Sequence, residues 1–243
     1  MGAAEVVLVD HDLLDTPSNT RRVFGSTLAD LNATNPPAKV DVVGRHLDTI
    51  GFPTRITRIN ADVRSEHAFR ALLDTDIVLI GTDTHGSRAT VNELASTYLL
   101  PVIDIGVRAG AKTDHTLTGL TAELRLLTPD RPCLWCRNAI NSDVIRAENL
   151  PAEQREQLQR EGCLVAGVGA PAASVIALTV LGAGMATCAL LALLSDEGDI
   201  IPNGYILDGM FGDTFDSKPT EPKPDCRCRA NLGRGDTAAP PFI

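Results

Sequence analysis

Two close cysteine pairs carry the most specific chemistry in this sequence. Cys133-Leu-Trp-Cys136 is a C-x-x-C, and Cys226-Arg-Cys228, far downstream, is a C-x-C. Four thiolates gathered from two such pairs suit a tetrahedral zinc ion, which would clip the tail to the body. The first pair alone has the spacing of a redox dithiol, but no thioredoxin-like helix begins at it. Structural zinc is therefore favoured over a disulfide or free thiols. Cys163 follows Gly162, where a charged segment gives way to an apolar one. A thiol at a helix start is the more nucleophilic for its lowered pKa, and a packed helix-start cysteine is the plain alternative. Cys188, inside the apolar segment, reads as an inert core residue.

Carboxylates at strand ends form the second group. Glu5 to Asp10 (EVVLVD) is a short β-branched run that predicts a buried strand, and Asp12 follows its last residue. In nucleotide-binding α/β folds an acidic residue at a strand end hydrogen-bonds a ribose hydroxyl. A strand-end carboxylate without a ligand is the bland reading of Asp10. The glycine-rich turn that should precede such a strand is not found before Gly2. A second buried strand, Asp76 to Gly81 (DIVLIG), runs into Thr82-Asp83-Thr84. Ligands gather beyond the carboxyl ends of such strands, and a carboxylate there suits magnesium held jointly with phosphates. The competing reading makes Asp83 or Thr84 an N-cap for the following helix, on which Arg88 and Asn92 share a face.

The elements that must position these residues alternate along the chain. Leu13 to Pro37 reads as a loop over the sheet edge. Ala38 to Ile50 has helical spacing, with Val42, His46 and Ile50 on one face and Gly51 closing it. Thr54 to Ile59 alternates as a strand, Ser65 to Leu73 is a short helix, Arg88 to Leu100 is a longer one, and Pro101 to Gly106 returns as a strand. This rhythm predicts a parallel sheet covered by helices on both faces. After Val107 the pattern changes. Thr116 to Leu127 suggests antiparallel strands, Pro151 to Gly162 a charged surface helix, Gly204 to Asp208 a last strand, and the tail from Ser217 irregular structure. No internal repeat is found, and the two halves read as one continuous domain.

Composition bounds the function. Lys+Arg 22 against Asp+Glu 31 leaves a net charge of −9 over 243 residues, and aromatics are 4%. An acidic surface short of aromatic rings is unsuited to general nucleic-acid binding. No secretory signal opens the chain, so a reducing cytoplasm is expected. Ala172 to Leu194 is uncharged and long enough to cross a bilayer, yet lacks basic flanks and an aromatic belt. A helix buried inside an α/β protein or at a dimer interface reads the same way, so a membrane span is not expected.

Taken together, these residues resemble the ThiF/MoeB/HesA family, the bacterial relatives of ubiquitin-activating enzymes. The family's strand-end D-x-D and following N-x-x-R are similar to Asp10, Asp12, Asn19 and Arg22, with one extra residue between. Its helix lysine looks like Lys39. Its T-D-N-x-x-x-R-x-x-x-N resembles Thr82, Asp83, Thr84, Arg88 and Asn92, with Thr84 replacing the asparagine. Its first zinc pair resembles CLWC, its C-x-x-A-G-V-x-x-P resembles Cys163 to Pro171, and its L-x-x-D-G resembles Ile206 to Gly209. The order is collinear from Glu5 to about Cys228.

The resemblance implies a Rossmann-like α/β fold, a mostly parallel sheet with helices on both faces, C-terminal antiparallel strands and a zinc-clamped tail. Residues 1–228 would form the adenylation domain, without its opening strand, glycine-rich loop and first helix, and 229–243 an irregular tail. It implies ATP-dependent adenylation of the C-terminal glycine carboxylate of a small ubiquitin-like or sulfur-carrier protein. Arg22 and Lys39 would supply cations, Asn19 would position phosphate, Asp83 would hold magnesium, and Asp10, followed by Asp12, would meet the ribose. Cys163 is the position at which some members form a thioester or acyl disulfide. A homodimer, or a heterodimer with a paralogue, is implied. The rival expectations are a non-catalytic scaffold or partner subunit completing a paralogue, and a nicotinamide-dependent oxidoreductase using Asp10 for ribose.

Overall fold

The β-branched run at the start pairs with the next alternating segment. Strand β1 (Glu5–Val9) lies parallel to β2 (Arg55–Ile59), with Glu5 opposite Arg55 and Val9 opposite Ile59. The computed structural model describes residues 2–17, 22–111, 116–163, 175–195, 204–209, 214–216 and 221–238. Contacts divide the chain into two compact units, one running to Thr75 and the other from Asp76 to Pro241.

In the first unit, the expected loop after β1 contains a short helix, α1 (Leu28–Leu31). Its start is a capping box: the Asp30 N–H donates to Thr27 Oγ1 at 3.3 Å, and the Thr27 N–H donates to Asp30 Oδ2 at 2.8 Å. Arg45 of α2 (Lys39–Ile50) donates to both Asp30 carboxylate oxygens at 3.0 and 2.7 Å. These Arg45 hydrogen bonds are the main reason the Asp30 carboxyl is held down to about 2. Gly51 ends α2 at φ 78°, a left-handed backbone that favours glycine. The buried residues of α2 include Val40 and Val42, whereas His46 is exposed and Ile50 is 51% exposed. Of the expected Val42–His46–Ile50 stripe only Val42 is buried, and the helix meets β2 at Gly44, where a Cβ would collide with the Arg58 side chain. Helix α3 (Glu66–Leu73) completes the unit, capped by Ser65, whose hydroxyl accepts the Ala68 N–H.

In the second unit, β3 (Val78–Ile80), β4 (Val102–Ala111), β5 (Leu117–Leu127), β6 (Gly204–Asp208) and β7 (Thr214–Asp216) form a sheet in that order. The β3–β4 pair is parallel and the other three pairs are antiparallel. Helix α4 (His85–Tyr98) connects β3 to β4 and begins three positions before the expected Arg88. Helices α5 (Ser142–Glu148) and α6 (Ala152–Arg160) follow β5, and α6 buries no residue. The apolar helix α7 (Ile176–Leu193) packs on β4 and β5, bringing Met185, Ala186 and Ala189 against Ile103, Ala122, Leu124 and Leu126. Gly182 permits the approach, since a Cβ there would stand 2.9 Å from Ile105 Cγ2. Cys188 is exposed on α7, which corrects its reading as a core residue. A helix this uniformly apolar does not announce which side meets the sheet. The tail is also more ordered than expected: α8 (Arg227–Ala230) and a 3₁₀ turn at Gly235–Thr237 follow.

Candidate functional site

In the first unit the sequence brings two carboxylates and a cation to the carboxyl end of β1. The Asp10 N–H continues the strand pairing by donating to the Ile59 carbonyl at 3.3 Å. A Leu13–Ala38 bridge, with the Lys39 N–H donating to the Asp12 carbonyl at 3.0 Å, sets the start of α2 beside this loop. The Lys39 ammonium consequently meets Asp12 Oδ2 at 2.5 Å and Asp10 Oδ2 at 3.6 Å. The Asp12 N–H donates to Asp10 Oδ1 at 2.8 Å, fixing the first carboxylate. A cation in the first turn of a helix opposes the helix dipole, and the two carboxylates offset that cost. A phosphate approaching Lys39 must therefore compete with Asp12. Arg22 lies half-buried in a turn of the same unit, and Asn19 is outside the described residues.

In the second unit, Asp83 is exposed in the loop between β3 and α4. Thr84 is the N-cap, its Oγ1 accepting the Ser87 N–H at 3.2 Å, so the capping role falls to Thr84 and leaves the Asp83 carboxylate outward. The next two amides are held from a different element. The His85 and Gly86 N–H groups donate to the two carboxylate oxygens of Glu148, each at 2.9 Å. His85 Nδ1 accepts the Asn141 N–H at 3.1 Å, and burial lowers the imidazole pKa. Glu148 thus clamps the amide end of α4 directly beside Asp83, where a carboxylate is favoured by the helix dipole. Replacing Glu148 by Ala is expected to cost about 1–3 kcal/mol, since it leaves two helix-start donors unpaired. Glu148→Gln should cost less, and urea unfolding measures both. An unchanged midpoint for the alanine variant would refute the clamp.

The four cysteines form the third group, and the fold brings them together. Cys133 Sγ stands 3.6 Å from both Cys136 Sγ and Cys226 Sγ, and Cys136 Sγ lies 4.0 Å from Cys228 Sγ. All four sulfurs are within 4.8 Å of one another. Zinc with sulfurs at ~2.3 Å needs tetrahedral edges of about 3.8 Å, so the arrangement fits the ion. The Cys136 N–H donates to Cys133 Sγ and the Lys223 N–H donates to Cys136 Sγ, backbone bonds that stabilise thiolate charge. Hydrogen bonding from Cys228 is the main force holding the Cys133 thiol down to about 5. The same contact pushes Cys228 up, while burial pushes Cys226 up to about 11. A dication would allow all four to ionise, releasing the retained protons. Cys163, by contrast, is exposed beyond the C-terminal end of α6, and its N–H donates to the Leu158 carbonyl. Residues 164–174, on which the helix-start reading of Cys163 depends, lie outside the described residues, and the next described helix begins at Ile176.

The family model described as the ThiF family matches residues 1–228. The chain belongs to the ThiF family. Among curated relatives, the Adenylyltransferase and sulfurtransferase UBA4 of Meyerozyma guilliermondii is 27% identical over 137 residues, covering 56% of this chain and 28% of the relative. Among solved structures, E. coli MccB with SeMet MccA superposes with a TM-score of 0.62 at 14% identity, covering 93% of this chain and 59% of that one. E. coli MccB with ATP gives 0.59 at 14%, covering 92% and 58%, and SeMet PaaA gives 0.53 at 13%, covering 85% and 62%. The chain therefore spans less than two thirds of the length of each of these proteins. At such identities the solved structures show the fold alone: an α/β ThiF fold with a mixed sheet.

Two residues of the ThiF-like Arg88/Asn92 pattern have structural partners. Arg88 Nε lies 3.3 Å from Oδ1 of Asp104, a carboxylate with 0% exposure, and Arg125 donates to Asp104 Oδ2 at 2.7 Å. Arg125 also pairs with Glu123. Gly106 leaves space for this cluster, since a Cβ there would sit 3.1 Å from the Arg88 guanidinium. Asn92 turns instead to the cysteines, accepting the Leu134 N–H at 2.8 Å. Sequence reasoning missed Glu148 and Asp104. Asn141 followed by Ser142 and Asp143 is the capping signal that would have revealed α5, and with it Glu148. Asp104 stood in plain view inside PVIDIG, where a charge in an apolar strand demands a partner.

Proposed function

We propose that this ThiF-family chain adenylates the C-terminal carboxylate of a small ubiquitin-like or sulfur-carrier protein with ATP. The observation that carries the reading is the convergence of Asp10, Asp12 and Lys39 at the carboxyl end of β1, in a chain whose ThiF match runs through residues 1–228. In the proposed step a carboxylate oxygen of the carrier bonds to the α-phosphorus as the bond from that phosphorus to its bridging oxygen breaks. Pyrophosphate leaves and an acyl-adenylate remains. Two anions meet, so the chain must present positive charge to the transition state. Lys39 and Arg22 are assigned that task, Asn19 the phosphate and Asp10 the ribose. Lys39 reaches phosphate by exchanging its bond to Asp12. Magnesium, when bound, neutralises phosphate charge, and the outward carboxylate of Asp83 is the group assigned to hold it. Cys163, exposed after α6, is the candidate to take the acyl group as a thioester with release of AMP. Residues 1–228 are assigned to the adenylation domain and 229–243 to its tail, in a cytoplasmic protein. The outer side of α7 supports a homodimer or a heterodimer with a paralogue, with Val180 and Leu191 each 48% exposed.

ATP–pyrophosphate exchange with a carrier ending in Gly-Gly tests the reading. Exchange that drops about 10²–10³-fold in Lys39→Ala is expected, the scale for losing one transition-state charge partner. Asp83→Ala should drop too, with partial recovery at high magnesium. Absence of exchange in the wild-type chain, or a full rate in Asp83→Ala, would count against it. A second reading, a non-catalytic partner subunit, is favoured by the engagement of Lys39 with its own two carboxylates. That reading predicts carrier or paralogue binding without measurable ATP affinity.

A further inference from the structure

The four-thiolate cluster is built from two knuckles that are far apart in sequence, so something must set one against the other. Both contact adjacent residues of a single helix. Asn92 of α4, 1% exposed, accepts the N–H of Leu134, itself 0% exposed and lying between Cys133 and Cys136. Glu93, 7% exposed, holds Arg227 Nε at 2.9 Å, and Arg227 lies between Cys226 and Cys228. The same helix continues to grip the tail: the Gly233 N–H donates to the Ser96 carbonyl at 3.0 Å, and the Tyr98 hydroxyl donates to Asp236 at 2.7 Å.

We propose that Asn92 and Glu93 are the positioning residues of the metal centre, Asn92 registering the Cys133–Cys136 knuckle and Glu93 the Cys226–Cys228 knuckle. The inference rests on reading the cluster as a zinc site. Neither residue offers a ligand to the ion. Each fixes the middle of a knuckle, which leaves the flanking sulfurs no freedom but to converge. A buried amide donor such as that of Leu134 must have an acceptor, and Asn92 Oδ1 supplies it from across the fold. In a metal-free protein the knuckle can relax and hydrate that N–H, whereas the metal-bound geometry holds it inward. Losing the acceptor therefore penalises the bound state more than the free one. A buried carboxylate likewise needs its cation, and the Glu93–Arg227 contact, beside the Asn231 hydrogen bond to Glu93, keeps the C-x-C against α4. Outer partners of this kind change metal affinity by about 10–100-fold when removed.

The test uses the full chain and two readouts, cobalt(II) absorption and zinc affinity by competition with a chromophoric chelator. Wild-type protein should give the intense thiolate bands of a tetrahedral sulfur site. Asn92→Leu, alike in branching but without an acceptor, should weaken zinc binding about 10–100-fold and broaden the cobalt bands. Arg227→Ala alters a side chain that is 65% exposed, so it tests the Glu93 contact even if the buried Asn92 variant does not fold. It should weaken zinc by about tenfold, and Arg227→Lys should restore part of the loss. A wild-type cobalt spectrum with unchanged affinity in Arg227→Ala and in any folded Asn92 variant overturns the inference alone. Wild-type protein without thiolate bands overturns the zinc reading and the inference with it.

Discussion

Cys133→Ser is expected to abolish zinc retention and to free the segment from Lys223 to Ala238 for proteolysis. Cys133 is the sulfur nearest two of the others, at 3.6 Å from Cys136 and Cys226, and it is the one whose thiolate the rest stabilise. A serine hydroxyl does not ionise at neutral pH and is a harder, weaker ligand for zinc. Apparent binding energies of structural zinc reach about 10–16 kcal/mol in small domains, so losing the ion removes a large share of what holds the tail. Among the described residues the tail's other contacts include the short α8, the Glu93–Arg227 pair, the Lys223–Asn138 bond, the Ser96–Gly233 bond and the Tyr98–Asp236 bond. Elemental analysis should show zinc in the wild-type chain and little in the variant. Limited proteolysis with mass spectrometry should then show early cleavage after Lys223 or Arg229. A wild-type chain purified without zinc, or a variant tail as resistant as the wild type, would contradict the clamp. Cys188→Ser, at an exposed cysteine outside the cluster, is the matched control.

Asp104→Leu should lower the stability of the second unit by about 3–5 kcal/mol, the scale for breaking a buried ion pair from one side. The carboxylate has 0% exposure, and the Arg88 and Arg125 side chains that hold it are each 16% exposed. Leucine leaves two guanidinium groups desolvated. Arg125 retains Glu123 and Arg88 retains the Ile105 carbonyl at 3.3 Å, so the loss is large without being total. Replacing Arg88 by Leu as well should recover part of the stability, because an apolar set of similar volume removes the uncompensated charge. Urea denaturation of the single and double variants measures this. A loss under about 1 kcal/mol in Asp104→Leu would show that solvent reaches the cluster and screens it. The cluster also fixes how α4 lies on β4, and α4 begins just after Asp83. Its loss is therefore expected to loosen the loop that carries the proposed magnesium ligand.

Local pattern was legible in the sequence wherever the signal was short-ranged. The strand runs EVVLVD and DIVLIG, the short helix expected from Ser65 and the Gly51 stop each lie within a few residues of the structure they specify. The two cysteine pairs were legible for a different reason: thiols at close spacing have few uses in a reducing setting. The assignments of Asn19, Arg22 and Lys39 came from the family resemblance, since no spacing rule links Lys39 to Asp10 across the intervening loop.

Which face of α2 or α7 is inner depended on the sheet each meets, because the packing partner selects among apolar residues that are alike in sequence. That selection placed Cys188 outside and left His46 in solvent. Glu148 reached the start of α4, and Asp104 found its arginines, through contacts between separate elements that no local periodicity encodes. The sequence by itself determined the elements and the chemical inventory: strand ends bearing carboxylates, and four thiols in two pairs. Only the tertiary structure decided which charges are neutralised and which helix registers the knuckles, because buried polar groups must find partners wherever the fold brings them.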